Sequence, residues 1–206
     1  AGLDSRFKVA VPVYGCGFFQ DDARWRRMMT LMPEKDRPAW IENYDPSKYL
    51  PQCTIPTLWA NGTNDPAFPL DIYQKSYRAV RGPRTLCVTL GMKHSHPHGW
   101  APKEIGLFVD SVLKGGEPLA CFDRHGCNGR QVWASCRTVV PLKSAALHYT
   151  TDTGDWKERK WETAPARIEG TRVEAELPTF KGLSWFVTVT DERDATVSTE
   201  HEVIEE

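Results

Sequence analysis

Two stretches hold residue types that can do chemistry together. Asn61-Gly62-Thr63-Asn64-Asp65 places a carboxylate just after an apolar run, Ile55 to Ala60. His94-Ser95-His96-Pro97-His98 places three imidazoles just after another apolar run, Thr85 to Leu90. A carboxylate beside an imidazole supplies two members of a nucleophile–base–orienter triad. The carboxylate selects the ring tautomer and stabilises the imidazolium that forms. Alternating imidazoles are also good zinc ligands, so the same residues with Asp65 admit a metal-dependent hydrolase as a lesser reading. The plainest reading of Asp65 is a turn aspartate that caps backbone N–H groups.

Only one histidine can be the base. His96 is preferred to His94 because it follows a small residue and lies shortly before Pro102, where a helix can start. His98 reads as a loop residue near the rim. An extended loop would send all three rings the same way, whereas a turn would separate them.

The elements around these stretches must bring them together. Ile55 to Ala60 and Arg84 to Leu90 read as strands. Between them Ile72, Tyr73, Ser76, Tyr77 and Val80 mark one face of a helix that starts at Pro69 and ends at Gly82-Pro83. Strand, helix, strand is a βαβ unit. In a parallel sheet the loops at the carboxyl ends of the strands share one rim, which puts Asp65 and the histidines side by side. After Pro102, Ile105, Phe108, Val109, Val112 and Leu113 recur at helical spacing up to Gly115-Gly116. Upstream, Phe7 to Tyr14 reads as a strand with Pro12 at its end or at a bulge. Trp25, Met28, Met29 and Met32 read as a packed helix face, in a segment that continues to Leu50 as a cap.

Beyond residue 130 the period changes. Gln131–Arg137, Ala145–Thr150, Trp156–Trp161, Arg172–Leu177, Ser184–Thr190 and Ala195–Val203 are short runs separated by turn signals such as Thr153-Gly154-Asp155, Glu169-Gly170 and Lys181-Gly182. They predict a β-sandwich. The expected organisation is an α/β unit over 1–120, a linker over 121–130 and a small all-β sandwich over 131–206. Formal charge shifts across that boundary, from +4 over 1–130 to -5 over 131–206.

Composition narrows the function classes. A net charge of -1 over 206 residues gives no broad footprint for nucleic acid or an anionic membrane. No apolar run spans a bilayer, and no signal peptide is visible, which leaves location open. The six cysteines form no C-x-x-C pair, and zinc through them is disfavoured. No cofactor is expected. The tryptophans at 25, 40, 59 and 100 are placed to contact an acyl or sugar group, but most of them read more simply as core or cap packing, and those at 156, 161 and 185 read as sandwich core rather than as a sugar-stacking platform.

With these pieces placed, the chain resembles the carboxyl-terminal part of acetylxylan-esterase-like α/β-hydrolases that carry an appended β-sandwich. The resemblance rests on Arg6-Phe7-Lys8-Val9-Ala10-Val11-Pro12-Val13-Tyr14-Gly15 and on Asn61-Gly62-Thr63-Asn64-Asp65. It rests also on His94-Ser95-His96 with Gly99-Trp100 and on Leu147-His148-Tyr149-Thr150-Thr151-Asp152. In that superfamily the order is nucleophile, acid, histidine, with the nucleophile on a G-x-S-x-G elbow. No such pentapeptide occurs here. The expectation is therefore part of a serine-type carboxylic ester hydrolase. Asp65 is its acid, His96 (or His94) its base, and the nucleophile lies upstream of Ala1. The implied partner is a small-molecule or carbohydrate ester. Taken alone, the chain is expected to be inactive and to expose a sheet edge. A non-catalytic binding module is the alternative.

Overall fold

The computed structural model describes residues 1–179 and 182–205; Lys181 of the expected Lys181-Gly182 turn lies outside them. Two parallel strands, β1 (Thr57–Gly62) and β2 (Arg84–Thr89), pair in register from Thr57–Arg84 to Gly62–Thr89. All six residues of β1 are buried, as a parallel strand covered on both faces requires. Residues 7–14 extend along its other side through two parallel bridges, Ala10 with Thr57 and Val13 with Ala60. Pro12 keeps this segment from being a regular strand, because it has no N–H to give. Its carbonyl still accepts from Ala60 N at 3.0 Å and from the Tyr73 hydroxyl at 3.1 Å.

Helix α1 (Ala23–Met29) and helix α2 (Arg37–Tyr44) form the cap segment. The packed face expected on α1 is only half present: Met29 is buried, whereas Met28 is 52% exposed. Helix α3 (Leu70–Ala79) buries Leu70, Ile72, Tyr73, Ser76 and Tyr77, the face its spacing predicts. A short α4 (His96–Trp100) precedes α5 (Lys103–Leu113).

The expected linker is instead a strand, β3 (Cys121–Asn128), paired antiparallel with β4 (Gln131–Arg137). Its order, Cys-Phe-Asp-Arg-His-Gly-Cys-Asn, lacks polar–apolar alternation, and a register shift between Phe122 and Arg124 explains why. Strands β5 (Leu142–Thr150), β6 (Glu162–Glu169), β7 (Arg172–Glu176) and β8 (Leu183–Asp191) follow. The expected strand at Trp156–Trp161 is a 3₁₀ turn over Trp156–Glu158, with Asp155 accepting from Lys157 N at 3.3 Å. The run Ala195–Val203 divides into β9 (Thr196–Ser198) and β10 (Glu202–Ile204).

The strand order is β1-β2-β9-β8-β5-β6-β7-β4-β3, with β10 on β8. Strand β6 pairs with β5 through its first half and with β7 through its second, so it joins two antiparallel layers. The parallel part and the antiparallel part meet where β2 pairs with β9, and one buried cluster runs through both. It includes Leu58, Ala60, Cys87 and Phe108 from the first part and Val132, Leu147, Trp185 and Val187 from the second. The mixed sheet is thus continuous across the boundary expected near 121–130.

Two buried histidines tie this fold to pH. His148 lies between the Thr163 and Thr188 hydroxyls, each at 2.9 Å, and burial pushes its imidazole down to about 4 from 6.5. Burial pushes His201 down to about 3, helped by Arg78 and Arg159. Unfolded imidazoles take up protons first, so stability is complete above pH 6.5 and is lost as pH falls toward 4 and then 3. His148 alone should contribute roughly 3 kcal/mol to that loss. Urea denaturation at pH 7 and pH 4 should show the loss, and His148→Gln should reduce the difference by about that amount.

Candidate functional site: a buried carboxylate and an imidazole

Strand β1 ends at Gly62, and the next seven residues wind around Asp65. Its Oδ1 accepts from Ala67 N at 2.8 Å and Phe68 N at 2.7 Å. The turn-aspartate reading is therefore met by one oxygen. The other oxygen, Oδ2, lies 2.7 Å from His94 Nδ1. The Asp65 side chain is wholly buried, while that of His94 is 36% exposed. An ionised carboxylate only accepts, so Nδ1 carries the proton and Nε2 is left as the basic nitrogen. Three donors compensate the buried charge, which would otherwise be costly.

The partner of Asp65 is His94, not the preferred His96. Ser95 is the last residue of the loop and stands at the N-terminal boundary of α4. His96 is the first residue of that helix and is exposed. His98, on the same turn, has Nδ1 2.7 Å from Ser95 Oγ. The helical turn separates the three rings. A Ser followed by His-Pro could have signalled a helix start, since Ser favours the N-cap and Pro the first turn. Among the described residues, no group of three or more His, Cys, Asp or Glu side chains is arranged to hold a metal ion.

His94 is held from both sides. The Tyr14 ring lies at 4.4 Å and the Phe68 ring at 5.9 Å from it, centroid to centroid. The Tyr14 hydroxyl shares its proton between the carbonyls of Lys93 at 2.7 Å and Ser95 at 3.1 Å, which flank His94. Tyr14 does this from φ 62°, a left-handed conformation that costs a tyrosine roughly 1–3 kcal/mol. From the cap, Trp25 Nε1 donates to Ala67 O at 2.7 Å and its ring stacks on Phe68 at 5.6 Å. His94 opens on a cavity of about 530 Å³ lined by Val11, Val13, Tyr14, Phe68, His96 and Trp100, among others. Among the described residues, no hydroxyl or thiol is hydrogen-bonded to its Nε2. Trp59 is 1% exposed and Trp185 is fully buried, so both are core residues, whereas Trp100 is 75% exposed at the cavity rim.

The chain is similar in part to several solved structures. An acetyl xylan esterase from Paenibacillus sp. R4 is 20% identical, with 55% of this chain and 40% of that one covered, at TM-score 0.44. A Mycobacterium tuberculosis puromycin-hydrolyzing peptidase is 20% identical, with 57% and 21% covered, at TM-score 0.46. A carbohydrate-binding module family 56 β-1,3-glucan binding domain is 13% identical, with 42% and 99% covered, at TM-score 0.27. The chain thus spans well under half of either hydrolase. No protein-family model matches it, and no curated protein does. Likeness this partial decides nothing about chemistry; the side chains must.

Gly62 is the contact that lets the two loops approach. A Cβ there would lie 2.4 Å from the backbone oxygen of Met92, just ahead of His94. Gly91 has φ +58° with open space around it. Gly62→Ala should destabilise the fold by about 1–3 kcal/mol and push the loops apart. Gly91→Ala should cost about 1–2 kcal/mol of backbone strain with the Asp65–His94 bond intact. Thermal denaturation measures both costs. The His94 Nδ1–H proton resonance separates the variants, since only Gly62→Ala should weaken it.

Proposed function

We propose that this chain supplies the acid and the base of a serine-type carboxylic ester hydrolase of the α/β-hydrolase kind. The observation that carries the reading is the wholly buried Asp65 carboxylate, held by two backbone N–H groups, 2.7 Å from His94 Nδ1. That arrangement leaves Nε2 as the basic nitrogen, and among the described residues no hydroxyl or thiol is hydrogen-bonded to it. A serine outside these residues is the nucleophile.

In this mechanism the serine Oγ attacks the ester carbonyl while His94 Nε2 takes the serine proton. The imidazolium then gives that proton to the departing alkoxide, and alcohol leaves. Water, deprotonated by the same nitrogen, attacks the acyl carbonyl; as the bond to serine Oγ breaks, the imidazolium returns the proton to Oγ and the acid leaves. Asp65 keeps its charge throughout and stabilises the imidazolium. Backbone N–H groups stabilise the oxyanion. The substrate is a small acyl ester, with an acetylated carbohydrate as the candidate.

The test is made in the longer polypeptide that this reading requires, with p-nitrophenyl acetate as substrate. Asp65→Asn and His94→Ala should each lower kcat by roughly 10³–10⁴, while His96→Ala and His98→Ala leave it near wild type. Full turnover after either of the first two changes ends the proposal. Ester turnover by the 206-residue chain alone would refute the external nucleophile.

A further inference from the structure

We propose that Asn64 is a positioning residue, and that through it the Trp156–Arg159 turn of the antiparallel half holds the loop that presents Asp65 to His94. This rests on the base-and-orienter reading above.

The Asn64 amide crosses from one half of the molecule to the other. Its Nδ2 donates to three main-chain carbonyls, Trp156 O at 3.2 Å, Lys157 O at 3.2 Å and Arg159 O at 2.7 Å. The NH₂ has two hydrogens for three carbonyls, so one of them is shared between two; the amide oxygen could donate to none, and the partners therefore set the amide orientation. Its Oδ1 accepts from Thr63 Oγ1 at 2.7 Å, and Thr63 Oγ1 in turn accepts from Gly91 N at 3.0 Å. Thr63 N also donates to Thr89 O at 3.0 Å. One hydrogen-bonded path therefore joins the turn, the acid loop and the loop that carries His94.

The turn is itself rigid enough to act as an anchor. Arg159 lays its guanidinium 3.6 Å over the Trp156 ring and donates to Gly154 O at 2.9 Å and Ser184 Oγ at 3.0 Å, which binds it to β8. Trp156 is buried with Leu70, Val88 and Phe186, residues drawn from both halves. Asp65 is the next residue after Asn64, and its Oδ1 is committed to its own turn. Whether Oδ2 then meets His94 depends on where the turn as a whole sits. The path through Asn64 and Thr63 sets that placement from outside the turn. The antiparallel half is accordingly a working part of the site rather than an independent appendage.

Proton NMR of the 206-residue chain tests this without any need for turnover. The His94 Nδ1–H proton, bonded to Asp65, is expected as a resolved and slowly exchanging resonance. Asn64→Ala and Asn64→Asp should speed its exchange about tenfold or more, with the β1 and β2 amides still protected. Asn64→Gln, which keeps the donor, should restore part of the loss. A purely structural role would lower the melting temperature of Asn64→Ala and leave the exchange unchanged, and that result overturns the proposal. Asp65→Asn is the control. If it leaves the resonance as in wild type, the Asp65–His94 reading itself fails. If it removes the resonance while Asn64→Ala does nothing, only the brace fails. Should Asn64→Ala not fold, Arg159→Met loosens the turn from its far side and is judged by the same readout.

Discussion

A full negative charge on a wholly buried carboxylate is the constraint around which the rest of the site is arranged. A carboxylate isolated in the interior costs several kcal/mol unless donors surround it. Each oxygen of Asp65 has such donors: two backbone N–H groups on one, the His94 ring on the other. The same three bonds determine the ring tautomer. The electrostatic solution for burying Asp65 and the chemical preparation of His94 are therefore one arrangement.

That arrangement demands close approach of two loops from neighbouring strands, and backbone details make it possible. Gly62 removes the side chain that would strike Met92. Tyr14 accepts an unfavourable φ to place its ring on His94 and its hydroxyl on the carbonyls beside it. Gly99 lets α4 lie against Tyr14, since a Cβ there would come within 2.9 Å of the ring. Small residues and one strained one thus cluster where the chemistry is proposed, as expected when function overrides local preference. The cap contributes through Trp25, and the antiparallel half through the turn that meets Asn64.

The parallel unit was legible in the sequence because its signals are local and redundant. An apolar run, a turn, a helical face and a second apolar run locate β1, α3 and β2 closely. The antiparallel half was less legible. In β3 the expected alternation is missing where the strand shifts register, and in β6 Pro165 argues against a strand that nonetheless pairs with Ala146. The turn at Trp156 reads as a strand by composition. Asp155, which accepts from Lys157 N, and Arg159, which lies over the Trp156 ring, close it as a turn just past the Thr153-Gly154-Asp155 signal.

The sequence by itself determined that a carboxylate and a set of imidazoles end successive strands, since apolar periodicity and the βαβ order suffice to place both on one rim. Tertiary structure alone decided which imidazole is used. His94 and His96 are separated by one residue, and their difference is angular: Ser95 begins a helical turn that leaves His94 facing Asp65 and puts His96, exposed, in the first position of α4. Angles of that kind come from the packing of Tyr14, Phe68 and Gly99 around the loop. Such packing is set by residues distant in the chain, and a linear pattern does not encode it.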